Sequence, residues 1–288
     1  MLIRPTLQLL RPANLVTAIA DILAGMCIVS FQWSGFSYIY LMIASVSLYA
    51  GGVVLNDYFD REIDAKERPE RPIPSGKVSK EFALLMGTIL LLIGVSFSFL
   101  YSWNSFLVSL LICFFVILYD CYAKHHFVFG PLVMGVCRGL NLLLGMTSVS
   151  QIPELGFYLF ILPVIYIAGI TLVSQNEVLG GGKSKFIIAI VLFGFVFTVQ
   201  LFLSYLNGNL LITSPFVLIH SFLLLPPLFK TIQNPIPEHV RKTVKMGVLS
   251  LIVLNVSFAA CFGMAFVAIL IFALLPMSLG LARGFAVT

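Results

Sequence analysis

Long apolar stretches separated by short polar breaks run along almost the whole chain. A helix needs about 20 apolar residues to cross a bilayer, and most of the stretches are close to that length. They cover residues 15–31, 38–55, 82–101, 106–119, 129–149, 155–173, 186–206, 210–229 and 244–282. The last would form a helix of about 58 Å, nearly twice the hydrocarbon thickness. We expect it to break near Gly263 into two spans; the alternative is one shorter span followed by an interfacial helix.

The composition supports a membrane protein. The chain has 288 residues, of which 60% are apolar and only 10% are charged, and its mean hydropathy is +1.05. It is therefore far more apolar than a soluble domain. The sequence predicts a single all-helical domain over residues 1–288 with nine to ten transmembrane helices. The five cysteines show no paired spacing, so neither a disulfide framework nor a zinc site is indicated.

The basic residues indicate which side of the membrane each loop faces. Lysines and arginines follow the even-numbered spans, in the segments 61–80, 124, 183–185 and 230–245. The connections after the odd-numbered spans, at 32–36, 102–105, 150–154 and 207–209, contain none. By the positive-inside rule we predict that the N-terminus and the basic loops are cytoplasmic, in a multi-pass protein of the cell inner membrane. This pattern explains the net charge of +5, so no nucleic-acid partner is expected.

The strongest candidate for chemistry follows the second span, where residues 56–64 read NDYFDREID. Asp57, Asp60 and Asp64 lie at positions i, i+3 and i+7, which places their carboxylates on one face if the helix continues. Such a cluster favours a cation, and hard oxygen ligands with room for water suit Mg²⁺, which usually binds one or two carboxylates and substrate phosphates. The alternative interpretation is a solvated acidic helix end.

Polar residues inside the spans are costly in hydrocarbon and usually mark a cavity or a pathway. Asn14 and Asp21 lie on one stripe of the first span, and Arg138 and Asn141 lie one turn apart in the fifth. An arginine at this depth needs an anionic partner. It can form an internal salt bridge with Asp21 or Asp120, or contact a bound phosphate or the aspartate cluster, and both hypotheses can hold together.

The loop after the aspartates is highly charged. The prolines between residues 69 and 74 prevent a continuing helix, and Ser79 is a good N-cap for the third span. Such a loop can act as a lid in which Lys66, Arg68 and Arg71 hold an anion. The alternative is that its basic residues only set the topology.

These motifs together resemble the UbiA superfamily of intramembrane prenyltransferases. The resemblance rests on RPAN at residues 11–14, Asn56-Asp57-x-x-Asp60-x-x-x-Asp64, RPIPSG at 71–76, Tyr119 with Lys124, and RGLN at 138–141. It extends over nearly the whole chain. Within the superfamily the chain resembles the divergent branch called EboC-like.

The resemblance implies a fold, an activity and a set of site residues. The implied fold is an all-α bundle of nine to ten transmembrane helices around a central cavity open to the bilayer. The implied activity is Mg²⁺-dependent transfer of a polyprenyl chain from its diphosphate to an unidentified acceptor, with the active site on the cytoplasmic side. The implied residues are Asp57, Asp60 and Asp64 as catalytic Mg²⁺ ligands, Glu177 as a further metal ligand, and Asn14, Asn56, Arg71, Tyr119, Lys124, Arg138 and Asn141 for substrate binding.

The segment after the sixth span departs from the superfamily. Members usually carry a second aspartate-rich motif there, but residues 174–183 read SQNEVLGGGK, with Glu177 as the only acidic residue. Either a single ion suffices, or Ser174, Asn176 and Glu177 form a weaker site with more water. The third possibility is that the transfer chemistry is lost, which would leave a non-catalytic protein that binds or moves an isoprenoid lipid.

The Tyr-Lys motif also departs from the superfamily. Four residues separate Tyr119 from Lys124, whereas the superfamily usually places three there. This spacing weakens the assignment of Lys124 as a diphosphate ligand. It leaves the hydroxyls of Tyr119 and Tyr122 as alternative hydrogen-bond donors to the phosphate. A third class of function, an alcohol phosphotransferase, is disfavoured because its Asp-Gly-x-x-Ala-Arg pattern is absent.

Overall fold

The computed structural model describes residues 3–31, 35–175 and 183–285, and these residues form helices and no strand. The helices are α1 (Ile3–Leu10), α2 (Pro12–Ile28), α3 (Tyr38–Phe59), α4 (Arg61–Glu67), α5 (Lys80–Tyr101), α6 (Trp103–Leu118), α7 (Phe129–Met146), α8 (Glu154–Leu159), α9 (Ile161–Ser174), α10 (Lys183–Leu206), α11 (Leu210–Gln233), α12 (Pro237–Cys261), α13 (Ala265–Phe272) and α14 (Leu274–Gly284). A single π-helical turn, Tyr119–Ala123, continues α6.

Within the described ranges nine helical segments are long and apolar enough to cross a membrane. The pair α1 and α2, bent by 42°, is a tenth candidate. The predicted all-α, multi-pass membrane fold is therefore confirmed, with the predicted number of spans.

The C-terminal stretch breaks where the sequence predicted. α12 ends at Cys261, Gly263 adopts a positive φ of 76°, and the next helix begins at Ala265. The Lys245 ammonium donates a hydrogen bond of 2.8 Å to the carbonyl of Ala282. The start of α12 and the end of α14 therefore lie at the same end of the bundle, as two crossings require.

Helix α12 lies in the interior, and residues 249–261 along it are all buried. The outward faces of α5 and α6 instead expose large apolar side chains, among them Leu85, Leu92 and Phe114. An apolar exterior is unfavourable in water but suits contact with lipid chains.

Two glycines bring α2 and α7 into close contact. A Cβ at Gly25 would overlap the Leu142 carbonyl, and a Cβ at Gly145 would overlap the Ile22 carbonyl. Small residues commonly allow such close backbone approach between membrane helices. The approach places the polar stripe of α2 directly against α7.

The proline loop is packed against the bundle. Ile73 and Val78 are buried in an apolar cluster with Leu9 of α1. The hydroxyl of Ser79 accepts a hydrogen bond of 3.2 Å from the Phe82 amide, which confirms the predicted N-cap of α5. The loop is thus anchored just after its arginine at position 71.

Candidate active site

A cavity of about 700 Å³ lies at the end of the bundle that holds the aspartate stretch. This volume is within the usual range of small-molecule sites, roughly 300–1,000 Å³. Its polar lining comprises Arg11, Asn14, Tyr49, Asn56, Asp60, Asp64, Glu67, Arg68, Arg71, Tyr119, Asp120, Lys124, His125, Arg138, Asn141, Thr171, Ser174 and Gln175. Farther along the same helices the lining is apolar and includes Leu48, Ile112, Met134, Ile170 and Leu251. A polar mouth that continues into an apolar interior suits a ligand with a charged head and a hydrocarbon tail.

Asp57 and Asp64 are paired with two arginines. The Oδ1 atom of Asp57 accepts from Arg11 at 2.7 Å and from Arg71 at 3.5 Å, and Arg71 also donates to Asp64 Oδ2 at 2.7 Å. Asp57 is the one predicted site residue of the described ranges that does not itself line the cavity, although both of its arginine partners do. The aspartate stretch is therefore an ion-paired wall, which rules out the interpretation as a solvated helix end.

Arg11 was missed as a site residue by sequence reasoning. It joins α1 to α2 with a positive φ of 47°, a conformation that costs an L-residue roughly 1–2 kcal/mol. Its side chain reaches Asp57 across 46 positions of sequence. The Arg11-Pro12 pair before the first span was the only signal, and sequence spacing cannot reveal this partner.

The π turn explains the unusual Tyr-Lys spacing. Within it the Lys124 amide donates to the Tyr119 carbonyl at 3.0 Å, the i to i+5 bond of a π-helix. This wider turn accommodates the additional residue, so Tyr119 and Lys124 both line the cavity. The Lys124 ammonium contacts Asp60 Oδ1 at 2.5 Å. The alternative donor Tyr122 is 78% exposed and does not line the cavity.

Asn56 of α3 and Asp120 of the π turn form a second contact between these two elements. Asn56 Nδ2 donates to Asp120 Oδ1 at 2.8 Å, and Asp120 is 4% exposed. The sequence offered Asp120 and Asp21 as alternative partners for Arg138, and the structure pairs Arg138 with Asp21. The sequence feature that could have identified Asp120 as a site residue is an acidic side chain next to Tyr119, at the end of an apolar span.

Arg138 forms the internal salt bridge that was one of the two hypotheses. Its Nε lies 2.7 Å from Asp21 Oδ2, and both side chains are almost fully buried. Asn141 donates to Asp21 Oδ2, and Asn255 donates to Asp21 Oδ1, each at 2.7 Å. The guanidinium also lines the cavity, with its Cζ 5.5 Å from the centroid of the Tyr49 ring. Arg138 Nη2 donates to the Thr17 carbonyl at 2.7 Å, so Asp21 and Thr17 together fix the guanidinium at the wall of the cavity.

Burial and neighbouring charges shift the pKa values of Asp64 and Arg71. Burial raises the pKa of the Asp64 carboxyl, which Arg71 opposes and the neighbouring carboxylates of Asp57 and Asp60 reinforce, so the net shift is upward. Burial lowers the pKa of Arg71, but the carboxylates around it outweigh that effect, and its net shift is also upward. Arg71 therefore stays charged, while Asp64 takes up a proton more readily than an isolated carboxyl.

The donor set fits Mg²⁺ that is shared with a ligand. The acidic residues Asp60, Asp64, Glu67 and Asp120 line the cavity, but no three His, Cys, Asp or Glu side chains of the described ranges converge closely enough to hold an ion alone. Mg²⁺ typically completes its coordination with water and substrate phosphates. Glu177 and Asn176, the expected ligands after α9, lie outside the described residues.

The chain is similar in sequence to a family of known proteins. The model of the UbiA prenyltransferase family matches residues 18–233. The digeranylgeranylglyceryl phosphate synthase of Methanothrix thermoacetophila is 33% identical over 214 residues, covering 69% of this chain and 79% of the relative. The protein of the same name from Methanosphaera stadtmanae is 25% identical over 273 residues, covering 88% and 98%.

Two solved structures are similar in fold. The apo structure of a UbiA homolog from Aeropyrum pernix K1 has a TM-score of 0.72 at 16% identity, over 84% of this chain and 96% of that one. A UbiA homolog from Archaeoglobus fulgidus bound to GPP and Mg²⁺ has a TM-score of 0.65 at 16% identity, over 92% and 99%. At these identities the likeness establishes a common fold.

Proposed function

The chain belongs to the UbiA prenyltransferase family, and we propose that it transfers a polyprenyl chain from its diphosphate to a prenylated glyceryl phosphate, with Mg²⁺ as cofactor. Membership rests on a family match that covers most of the chain. The acceptor is inferred from the relatives, whose name describes a glyceryl phosphate that carries two geranylgeranyl chains. The charge pattern of the loops supports a site on the cytoplasmic side of the inner membrane.

The observation that carries this proposal is the alternation of charge at the cavity mouth. Asp60 and Asp64 line the mouth and supply carboxylates for a cation, while Lys124 and Arg71 are already held against them. Asp57 lies behind them, paired with Arg11 and Arg71. A diphosphate accompanied by a divalent cation brings both signs of charge. Its phosphate oxygens can therefore bind the basic side chains, while its cation binds the carboxylates.

Each wall of the cavity then has a role in the transfer. Arg71 and Lys124 hold the diphosphate oxygens by charge-assisted hydrogen bonds, with Asn56 and Tyr119 as neutral donors. Mg²⁺, when bound, neutralises the leaving group as the allylic C–O bond breaks. The apolar interior holds the prenyl chain and excludes water from the carbocation, whose charge the Tyr49 ring can stabilise.

Arg138 and Asn141 face the same cavity from the side of α7. A glyceryl phosphate is anionic, so its head group needs a cation that the diphosphate does not occupy. Arg138 carries such a charge: its Nε pairs with Asp21 and its Nη2 donates to the Thr17 carbonyl, which leaves Nη1 for the head group. Asn14 lines the cavity beside it and completes the proposed substrate-binding set.

The test is transfer by the purified protein in lipid nanodiscs. Labelled geranylgeranyl diphosphate and geranylgeranylglyceryl phosphate should give a doubly prenylated product and pyrophosphate only when Mg²⁺ is present. Asp60→Ala should abolish the product, whereas Glu154→Gln, exposed at the other end of the bundle, should not. Failure with this acceptor but success with a membrane extract would refute the acceptor alone.

A second candidate function follows from the segment 174–183, which carries a single acidic residue. If the chemistry is lost, the protein binds or moves an isoprenoid lipid. Binding of the diphosphate without any pyrophosphate release, across several chain lengths and with extracts as acceptor source, would favour this candidate over transfer.

A further inference from the structure

The carboxylate of Asp120 is unusual among the buried acids of the described chain. Asp21, Asp57 and Asp64 each have an arginine within 4 Å, whereas Asp120 has no such ion pair. Its Oδ1 accepts from the Asn56 amide, and its Oδ2 is fully buried without any hydrogen-bond partner among the described residues. Asp120 is nevertheless one of the residues that line the cavity.

This arrangement is unfavourable in the ligand-free protein. An ionised Oδ2 lacks a donor or a cation, and a protonated Oδ2–H lacks an acceptor, so neither state satisfies the atom. Leaving a buried polar atom unsatisfied costs about 1–3 kcal/mol, and more when it is charged. A cation delivered into the cavity would remove this cost.

The π turn determines where this carboxylate lies. Asp120 is the second residue of the turn Tyr119–Ala123, and the turn ends next to Lys124, whose ammonium contacts Asp60. Asn56 precedes Asp60 by one helical turn on α3 and holds Asp120. Asp60 and Asp120 therefore lie at the wall of the cavity where the end of α3 contacts the π turn.

Asp120 also offers a carboxylate in place of those that the segment after α9 lacks. The segment after α9 offers one carboxylate where the superfamily pattern has an aspartate-rich motif, so the cation of a diphosphate would have few protein ligands. Mg²⁺ needs only one or two carboxylates besides phosphate and water. Asp60 and Asp120 supply that number from α3 and the π turn.

We infer that Asp120 is a cation ligand of this site and compensates for the reduced acidic motif after α9. This inference rests on the proposed diphosphate function and adds a residue to it. Asn56 then acts as a positioning residue, since its amide occupies Oδ1 and leaves Oδ2 as the oxygen that is available to the cation.

The test measures cation binding directly. Wild type and Asp120→Asn, in nanodiscs with a non-hydrolysable geranylgeranyl thiolodiphosphate, are titrated with Mn²⁺ and the free ion is quantified by electron paramagnetic resonance. We expect the variant to bind Mn²⁺ at least about tenfold more weakly, the lower end of the losses seen when a metal site is disturbed. Glu154→Gln serves as the control and should match the wild type.

A second measurement separates this role from a structural one. Asparagine keeps the acceptor for Asn56 but removes a buried charge without a partner. The metal-free variant should therefore unfold at the same temperature as the wild type or a higher one. A variant that fails to fold or melts lower would overturn the inference, because Asp120 would then stabilise the fold.

The outcomes also separate this inference from the proposed function. Equal Mn²⁺ affinity of the two proteins, including no measurable binding by either, overturns the role of Asp120 whether or not the wild type transfers prenyl groups. Weaker binding by Asp120→Asn supports it even if no acceptor is turned over. Transfer by the wild type is scored separately, in the product assay.

Discussion

The buried pair of Arg138 and Asp21 leads to a quantitative stability prediction. Substituting Asp21→Asn keeps the shape of the side chain but removes the charge that faces the guanidinium 2.7 Å away. The side chains of Arg138 and Asp21 are 4% and 1% exposed, so water compensates little of the positive charge that remains on Arg138. We expect the variant to be strongly destabilised.

The magnitude follows from what remains unpaired. Removing one partner of a buried ion pair costs about 3–5 kcal/mol. Asn141 and Asn255 each donate a hydrogen bond to Asp21, and asparagine can accept through only one oxygen. An unmatched buried donor adds about 1–3 kcal/mol, but such costs are not additive within one network. We therefore expect a loss in the free energy of unfolding of about 3–5 kcal/mol.

The assay is equilibrium unfolding in mixed micelles, followed by tryptophan fluorescence and circular dichroism. The single variants Asp21→Asn and Arg138→Met are compared with the double variant. Because the double variant leaves no uncompensated charge, its loss should be smaller than the sum of the single losses by at least about 2 kcal/mol. Glu154→Gln, an exposed control, should stay within about 0.5 kcal/mol of the wild type.

Two results would refute this reasoning. One is a loss below about 1 kcal/mol for Asp21→Asn, which would mean that the guanidinium finds another anion or water. The other is additivity of the two single variants, which would mean that the side chains do not interact energetically.

Three further predictions concern the site and the packing. Lys124→Gln should raise the KM for the prenyl diphosphate roughly 10- to 100-fold, since a charge-assisted hydrogen bond contributes about 1.5–3 kcal/mol, and Lys124→Arg should retain part of the affinity; unchanged steady-state titrations would contradict this. The Mg²⁺ concentration for half-maximal activity should rise as the pH falls. The pKa of Asp64 is raised, so protons should compete with the cation at pH values above about 3.9, the usual pKa of an aspartate side chain. A Mg²⁺ midpoint that does not change with pH would count against a ligand role for Asp64. Gly145→Leu should prevent accumulation of folded protein because the side chain would overlap the Ile22 backbone, whereas Gly280→Ala, with open space around it, should express normally in a membrane-fraction blot.

Much of the fold was predictable because hydrophobic length and loop charge are local properties of the sequence. The tail break at Gly263 is one example, since no single helix of that length matches a bilayer. The carboxylates and Arg71 were predictable for the same reason, as they lie close together along the chain. Arg138 and Asn141 were indicated by their polarity inside an apolar span, and the family resemblance supplied Lys124.

The remaining site depends on contacts that sequence spacing does not encode. The left-handed backbone at Arg11 directs its side chain to Asp57, and nothing local announces that conformation. The partner of Arg138 was ambiguous because two acidic residues were equally plausible until the α2–α7 packing selected Asp21. The position of Asp120 depends on the π turn, which a helical pattern alone does not distinguish from an α-helical turn.

The π turn also bears on how such a motif changes during evolution. An inserted residue in an α-helix rotates everything after it by about 100° and would turn a functional lysine away from its partner. Here the wider turn confines the additional residue to Tyr119–Ala123, so the preceding helix and Lys124 keep their places. The fold thus accommodates one additional residue at this position, and a pattern that describes the motif should allow either three or four residues between tyrosine and lysine.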